Sequence, residues 1–253
     1  MKLRLISTVI LILGLLAAPA FMGASTALAA DDKYNGSYEA LFEIFPDDIC
    51  WTEESYNGNA SFDNGVLKLD TGSSDGNSQL YTIYGSDLVS PDPNKLNKPW
   101  IIEANAKYVS GVASHVARRH MHISFTPFSD LNLTNSLMIG QDEIFLLSDD
   151  HPNVRGETYN TTNNPNFDTD GAFHTYRIEV SYDETAINDW RIHVYYDDGE
   201  TAVLTGSLLN HSPWYSIPMK IAFGDGTGFA SGTSYWNHVK ISHYNGICGI
   251  FLP

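Results

Sequence analysis

Two kinds of side-chain pattern in this sequence could do chemistry: a histidine pair and a short acidic loop. In "HMH", His120 and His122 stand two residues apart, so on a β-strand both point to one face, an arrangement that suits a transition metal. The sequence offers no evident third ligand, which favours an exposed strand face instead. In "DTDG", Asp168 and Asp170 precede a glycine as in the start of a calcium loop, but the terminal Glu is missing. We therefore favour a polar turn, with these two residues as candidate ligands of a structural calcium ion, and predict no other cofactor.

The acidic residues lack the spacing that glycoside hydrolysis from a single strand requires. Most of them form adjacent pairs at predicted turns. Because neighbouring residues on a strand point to opposite faces, such a pair cannot flank one glycosidic bond. The sequence also lacks the Gly-x-Ser-x-Gly elbow of serine hydrolases. These observations predict a domain without enzymatic activity.

Polar side chains alternate with apolar ones along four segments, 99–109, 118–125, 172–182 and 189–198. If these four strands share a sheet, their polar side chains form one surface. Arg, His and Asn side chains have planar donors and acceptors that match the hydroxyls of a sugar chain. With a tryptophan at the rim, the candidate carbohydrate-binding residues are Asn105, Lys107, Arg118, His120, His122, Arg177, Arg191, His193, Tyr195 and Trp214.

This cationic surface would stand out in an acidic chain, which has 14 Lys and Arg, 30 Asp and Glu, and a net charge of −16. The contrast indicates a polysaccharide or other glycan as the partner, and an anionic one in particular. The alternative is a solvated sheet with cross-strand ion pairs such as Glu103–Arg118. Because the chain as a whole repels nucleic acid and anionic membranes, we expect neither as a partner.

The elements that must position these residues are strands. Period-two alternation recurs, helical periodicity is almost absent, and clusters of Gly, Asn, Asp and Pro separate the apolar runs. Many short strands without helices predict an all-β fold of two packed antiparallel sheets. The predicted strands are 65–70, 78–85, 99–109, 118–125, 135–140, 143–148, 172–182, 189–198, 201–206, 218–224 and 234–244.

Four segments carry a more specific pattern: "FDNGVLKLD" (62–70), "DGAFHTYRIEV" (170–180), "WRIHVYYDDGE" (190–200) and "IAFGDGTGFASGTSYWNHVKI" (221–241). Together they resemble the concanavalin A-like jelly rolls, which include laminin-G-like domains, legume-type lectins and family-16 glucanases. The resemblance implies a two-sheet antiparallel jelly-roll sandwich. In the last segment the residues after the glycines alternate as a strand, so we interpret them as the connection to the closing strand rather than as a phosphate-binding loop.

Because this fold serves binding, adhesion and hydrolysis alike, it does not fix the function. The polar surface favours a secreted, non-catalytic, lectin-like domain that binds carbohydrate at the cell surface or in an extracellular matrix. Two alternatives stay open: a glycoside hydrolase or polysaccharide lyase on the same fold, and a structural or adhesion module that binds protein. A lyase would use Arg, His and Tyr, with Tyr and His as acid and base. The Arg-Glu-x-Arg and Gln-x-His signatures of alginate lyase jelly rolls are absent from the sequence.

The first residues have the composition of a bacterial secretory signal peptide: a positive "MKLR", an apolar run, and small residues at Ala27–Ala29. We predict residues 1–29 as this signal and 30–253 as a single extracellular domain, with 30–45 as a flexible lead-in and no inserted membrane segment. Cys50 and Cys248 are the only cysteines, and in a secreted protein such a pair predicts a disulfide. The resemblance adds that the first and last strands of this fold are neighbours.

Overall fold

The computed structural model describes ten stretches of the chain, and the predicted signal peptide, Trp214 and Cys248 lie outside them. The glycan contact of Trp214, the disulfide and the extracellular location therefore stay predictions. Within the described residues, no helix has the length and apolar character needed to cross a membrane. The described residues are 36–40, 43–73, 76–85, 88, 99–128, 132–148, 151–165, 167–210, 218–226 and 229–242.

The described strands form two antiparallel sheets, which confirms the predicted all-β jelly-roll sandwich. The first sheet contains β1 (Gly36–Glu39), β3 (Asn59–Asp63), β4 (Val66–Asp70), β6 (Trp100–Ala113), β11 (His174–Tyr182), β12 (Trp190–Tyr196), β13 (Leu204–Ser207) and β16 (Ala230–Ile241). The second contains β2 (Thr52–Tyr56), β5 (Ser78–Tyr84), β7 (Met121–Thr126), β8 (Leu133–Ile139), β9 (Glu143–Ser148), β10 (His151–Asn160), β14 (Leu209–Asn210) and β15 (Lys220–Asp225).

The strand order connects distant parts of the chain. The first sheet runs β13-β12-β11-β6-β16-β4-β3, and β1 also pairs with β16. The second runs β10-β9-β8-β7-β15-β5-β2, and β14 pairs with β8. Strand β1 lies inside the predicted lead-in, where Gly36 is paired with Ile241. The start of the domain is thus held in the sheet by its closing strand.

Aromatic side chains from both sheets pack around Phe223 in β15. The ring of Trp236 in β16 lies 4.9 Å from the Phe223 ring, centroid to centroid, and those of Trp51 and Tyr81 lie at 4.9 and 5.7 Å. These four side chains are almost completely buried. Burying a large apolar side chain stabilises a fold by roughly 1.5–3 kcal/mol relative to leaving it exposed. This cluster therefore holds the two sheets together.

The glycine-rich stretch 223–236 joins the sheets, as predicted. Gly224 has a φ of +118°, and a Cβ atom there would lie 2.4 Å from the Gln79 carbonyl oxygen, so only glycine fits. The next residue, Asp225, is 2% exposed, and its carboxylate accepts a 2.8 Å hydrogen bond from the Thr71 hydroxyl. The stretch serves to pass the chain from β15 to β16.

Strands β6 and β16 continue past the end of β11 as a two-stranded arm, along which β4 pairs with β16 only as far as Thr233. They remain paired as far as Ala113 opposite Ala230, whereas β11 pairs with β6 only up to Ala106. We call residues 109–113 and 230–233 the arm. It forms one wall of the site described next.

Candidate functional site

The condition for a single polar surface, that the four strands share one sheet, is not met. Strands β12, β11 and β6 are neighbours in the first sheet, but β7 belongs to the second. The residues that were expected to extend the polar surface from β7 therefore lie elsewhere. The alternative of a solvated sheet named Glu103–Arg118 as an example of an ion pair, but Glu103 lies in the first sheet, 3.9 Å from the Lys240 ammonium and 3.6 Å from His238.

The first-sheet members of the predicted set do lie together on the outer face of that sheet. The Arg177 guanidinium stacks on the Tyr195 ring, 4.2 Å from its centroid, and its Nε lies 3.1 Å from Glu179 Oε1. Arg191 Nε donates to Asp183 at 3.0 Å. The Arg177–Tyr195 contact crosses two strands, whereas Arg177 and Glu179 share β11 and Asp183 follows it. A role of these residues in sugar binding stays a prediction. The predicted residues on this face are Asn105, Lys107, Arg177, Arg191, His193 and Tyr195.

The histidines of "HMH" are buried rather than on an exposed strand face. His120, which precedes β7, is 2% exposed, and His122, inside β7 between Met138 and Gly224, is 4% exposed. Burial lowers the pKa of His120 to about 4 and, helped by the nearby Arg118 charge, the pKa of His122 to about 3. Both rings are neutral at pH 7. Within the described ranges, no cluster of three His, Cys, Asp or Glu side chains is arranged to hold a metal ion.

The carboxylates of "DTDG" stabilise a turn. The Asp168 carboxylate accepts a 2.8 Å hydrogen bond from the Asp170 backbone N–H, and the Asp168 carbonyl accepts one from the Tyr196 hydroxyl. The Asp170 carboxylate accepts a long, 3.4 Å hydrogen bond from the Gln141 amide. This agrees with the favoured polar turn, while a calcium ion on Asp168 and Asp170 stays a prediction.

A pocket of about 370 Å³ opens between the arm, the segment that leads into β7 and the turn between β8 and β9. Its volume lies in the range of small-molecule sites. Most of its wall is polar, and two exposed residues of the arm complete the rim. The polar residues that line it are Tyr108, Arg119, His120, Gln141, Asp142 and Glu143.

Tyr108 and His120 stand side by side in this pocket, with ring centroids 4.9 Å apart. The imidazole sits against two glycines of the arm. A Cβ atom on Gly111 would lie 2.1 Å from His120 Nδ1, and one on Gly232 would lie 2.8 Å from its Cε1. Two Ser-Gly steps, one in each strand of the arm, thus make room for the ring. The Tyr108 hydroxyl donates a 3.3 Å hydrogen bond to the Gly111 carbonyl.

The hydrogen bonding of His120 fixes which ring nitrogen is basic. Nε2 lies 3.3 Å from the Thr233 carbonyl oxygen, which can only accept, so we assign the proton to Nε2. Nδ1 then carries the lone pair. Burial raises the pKa of the Tyr108 phenol above its ordinary value, so the phenol keeps its proton at neutral pH. The pocket therefore holds a base and a proton donor side by side.

Arg119 is held at the pocket wall by a carboxylate. Its Nε donates to Glu143 Oε1 at 3.0 Å, and its Nη2 makes a second bond to the same oxygen. Arg155 pairs with the other oxygen of Glu143. Both guanidinium groups stack on the Phe145 ring, at 5.2 and 4.5 Å from its centroid. The two cations against one carboxylate leave a positive charge beside the pocket.

Replacing Glu143 with Gln is expected to lower the free energy of unfolding by about 1–3 kcal/mol. The change leaves two guanidiniums without their counter-ion, and partial exposure, at 19% for Arg119 and 30% for Arg155, keeps the loss below that of a fully buried pair. Urea unfolding measures this loss. The exposed Glu200→Gln serves as the control, and equal stability losses in the two variants would argue against a clamping role for Glu143.

Sequence reasoning selected one residue of this pocket, His120. Alternation along segment 99–109 puts Tyr108 on the face opposite Lys107, which is the inward face in the structure. The sequence pattern could not show that β6 extends beyond β11 at this point. The other four polar residues lie in the segment before β7, in the turn after β8 and at the first position of β9, so no single alternating strand groups them. The one available signal was the pair of Ser-Gly steps at 110–111 and 231–232, which indicates two backbones that approach another group closely.

Comparisons with known proteins identify a fold. No protein-family model and no curated protein matches the chain. Among solved structures, the carbohydrate esterase of Shiga toxin-encoding bacteriophage phi24B is similar at a TM-score of 0.54 and 14% identity, over 84% of this chain and 100% of that one. The kappa-carrageenase from Pseudoalteromonas carrageenovora, in complex with an oligosaccharide of kappa-carrageenan, is similar at a TM-score of 0.44 and 13% identity, over 83% of this chain and 93% of that one. The Emp46p carbohydrate recognition domain is similar at a TM-score of 0.44 and 10% identity, over 85% of this chain and 99% of that one.

These neighbours correct the prediction of a domain without enzymatic activity. The neighbour with a TM-score of 0.54 is a carbohydrate esterase, so this fold accommodates an enzyme and the absence of activity is not supported. The prediction rested on missing motifs within single strands, whereas the pocket draws its polar groups from β6, from the segment before β7, and from the turn between β8 and β9 with the first residue of β9. What the comparisons and the two sheets establish is the architecture, and the chain has the concanavalin A-like jelly-roll fold.

Proposed function

We propose that this protein is a polysaccharide lyase that cleaves chains containing uronic acids by β-elimination. The observation that carries the proposal is the convergence of Tyr108, His120 and Arg119 on one pocket. A base, an acid and a fixed cation are the three groups that this reaction needs. The fold itself hosts several functions, so the proposal rests on these residues.

In the proposed reaction, the neutral His120 imidazole acts as the base that takes the proton at C5 of the uronate. The Arg119 guanidinium stabilises the negative charge that develops on the sugar carboxylate. As the C4–O bond breaks and the C4=C5 double bond forms, the Tyr108 hydroxyl gives its proton to the leaving oxygen. The proton on His120 then returns to the Tyr108 phenolate through water. A bound carboxylate favours the imidazolium, which raises the basicity of His120 during the reaction.

The carboxylates of the pocket support elimination over hydrolysis. Hydrolysis between two carboxyl groups requires one as the acid and the other as base or nucleophile. Of the two that line the pocket, Glu143 is bound by two arginines, which favours its ionised form. Asp142 is the single lining carboxylate that forms no ion pair with a described residue. An anionic polysaccharide outside the cell, where the signal peptide would direct the protein, is the substrate that we expect.

A panel of polysaccharides tests this proposal. We expect the protein to release products with the ultraviolet absorbance of an unsaturated uronate from at least one of alginate, polygalacturonate and hyaluronate. Neutral glucans should give no such signal. New reducing ends without that absorbance would indicate hydrolysis and would contradict the proposal.

A further inference from the structure

Lys107 differs from the other cations on the outer face of the first sheet. Its ammonium lies over two aromatic rings, 4.9 Å from the centroid of Tyr235 and 5.4 Å from that of Phe173. It forms no ion pair with any carboxylate that the structure describes within 4.0 Å. In a chain with 30 acidic and 14 basic residues, such a lysine is unexpected.

Neighbouring cations on the same face do have acidic partners. The Lys68 ammonium lies 3.2 Å from Asp70, and the Lys240 ammonium lies 3.9 Å from Glu103. Arg177 and Arg191 are paired with Glu179 and Asp183. The contrast singles out Lys107 as a positive charge that a ligand could neutralise.

Amides and hydroxyls form the immediate surroundings. The Asn237 side-chain amide donates to Asn105 Oδ1 at 2.7 Å, and the Asn105 amide donates to the Thr175 hydroxyl at 3.1 Å. Lys107 is directly opposite Tyr235 across the β6–β16 pair. A cation, an aromatic ring and planar amides are the groups that recognise an acidic sugar: the cation pairs with its charge, and the amides bond to its hydroxyls.

We propose that Lys107 is the centre of a second glycan-binding site, which takes the carboxylate or sulfate of an anionic sugar. Successive residues of a strand point to opposite faces, so Lys107 and Tyr108 place this site and the pocket on opposite faces of the first sheet. The site holds the polysaccharide and performs no chemistry. The proposal rests on the proposed function in one respect, the anionic polysaccharide as ligand.

Affinity electrophoresis in gels that contain polygalacturonate, kappa-carrageenan or dextran tests this site. The Tyr108→Phe protein is the starting point, because it is expected not to degrade the polymer. We expect Lys107→Ala to weaken binding of an anionic polymer about tenfold, as the loss of one charge-assisted contact would. Lys240 is the ion-paired lysine of the same face, and Lys240→Ala should change the affinity for the polymer less than twofold. Lys107→Arg should retain binding. A preference for polygalacturonate would assign a carboxylate ligand, and one for carrageenan a sulfate.

The binding readout separates this proposal from the lyase proposal. Lys107-dependent binding, together with no cleavage of any uronate polymer by the wild-type protein, would support the second site and contradict the lyase. Equal retardation of the Lys107→Ala and Lys240→Ala proteins would overturn the second site, even if the wild-type protein cleaves the polymer. Binding to none of the anionic polymers would also overturn it. Thermal unfolding of both variants checks that each is folded.

Discussion

Replacement of Tyr108 by Phe is expected to lower kcat on a uronate polymer by about 10²–10⁴-fold, the usual contribution of a general acid. The change removes the hydroxyl that protonates the leaving oxygen and keeps the ring that packs against His120. Its one described hydrogen bond, to the Gly111 carbonyl, is 3.3 Å long. We therefore expect the free energy of unfolding to change by no more than about 1 kcal/mol. Steady-state kinetics and urea unfolding on the same preparation measure both effects.

Tyr176→Phe provides a matched control. Tyr176 also points into the sandwich, and its buried hydroxyl has no hydrogen-bond partner among the described residues. It does not line the pocket. We expect this variant to keep wild-type activity. If Tyr108→Phe were as active as Tyr176→Phe, Tyr108 would not be the proton donor of the reaction.

The second large effect is a loss of stability in mild acid. We expect the free energy of unfolding to fall by about 4 kcal/mol between pH 7 and pH 5. His120 and His122 have pKa values of about 4 and 3 in the folded protein, below the ordinary value of 6.5. As the pH falls below 6.5, the unfolded chain binds protons at both histidines while the folded protein does not. Each histidine then lowers the free energy of unfolding by about 1.4 kcal/mol for each pH unit, until the pH reaches the pKa of that histidine in the folded protein.

Urea unfolding at several pH values tests this window. His122→Gln should roughly halve the slope of stability against pH between pH 6.5 and 4, because one of the two neutral rings is gone. Tyr176→Phe should keep the wild-type slope. Identical slopes in His122→Gln and the wild type would show that His122 is not the buried neutral group described above.

The strands that the sequence predicted are those with strong alternation. Segment 99–109 became β6, and the pattern of small and apolar residues at Ile102, Ala104 and Ala106 faces the core there. The strands that it missed have polar or broken patterns. β2 reads "TEESY" and lies at the edge of its sheet, and β10 contains Pro152 and Gly156, with two register shifts against β9. Pairing with a neighbour, rather than burial of alternate residues, forms these strands.

The candidate site was less predictable because it depends on which strands are neighbours. Alternation correctly identified the two faces of β6 but could not assign β7 to the other sheet. His120 and Arg118 therefore appeared to belong to a surface with Arg177. The alternation pattern also could not show that the arm packs against His120. That packing depends on the close approach of Gly111 and Gly232 to the imidazole, which are distant from each other in sequence. Short-range periodicity describes faces, whereas a pocket depends on contacts distant in sequence.

The mass of the cleavage products tests the central claim most directly. Elimination breaks the glycosidic bond without adding water, so the two fragments of a uronate oligosaccharide together have the mass of the parent chain. Hydrolysis adds one water across the same bond. We predict that mass spectrometry of a digest will show fragments whose masses sum to that of the parent, with the lighter, unsaturated sugar at the new non-reducing end. Fragments that together exceed the parent by one water would contradict the proposed lyase.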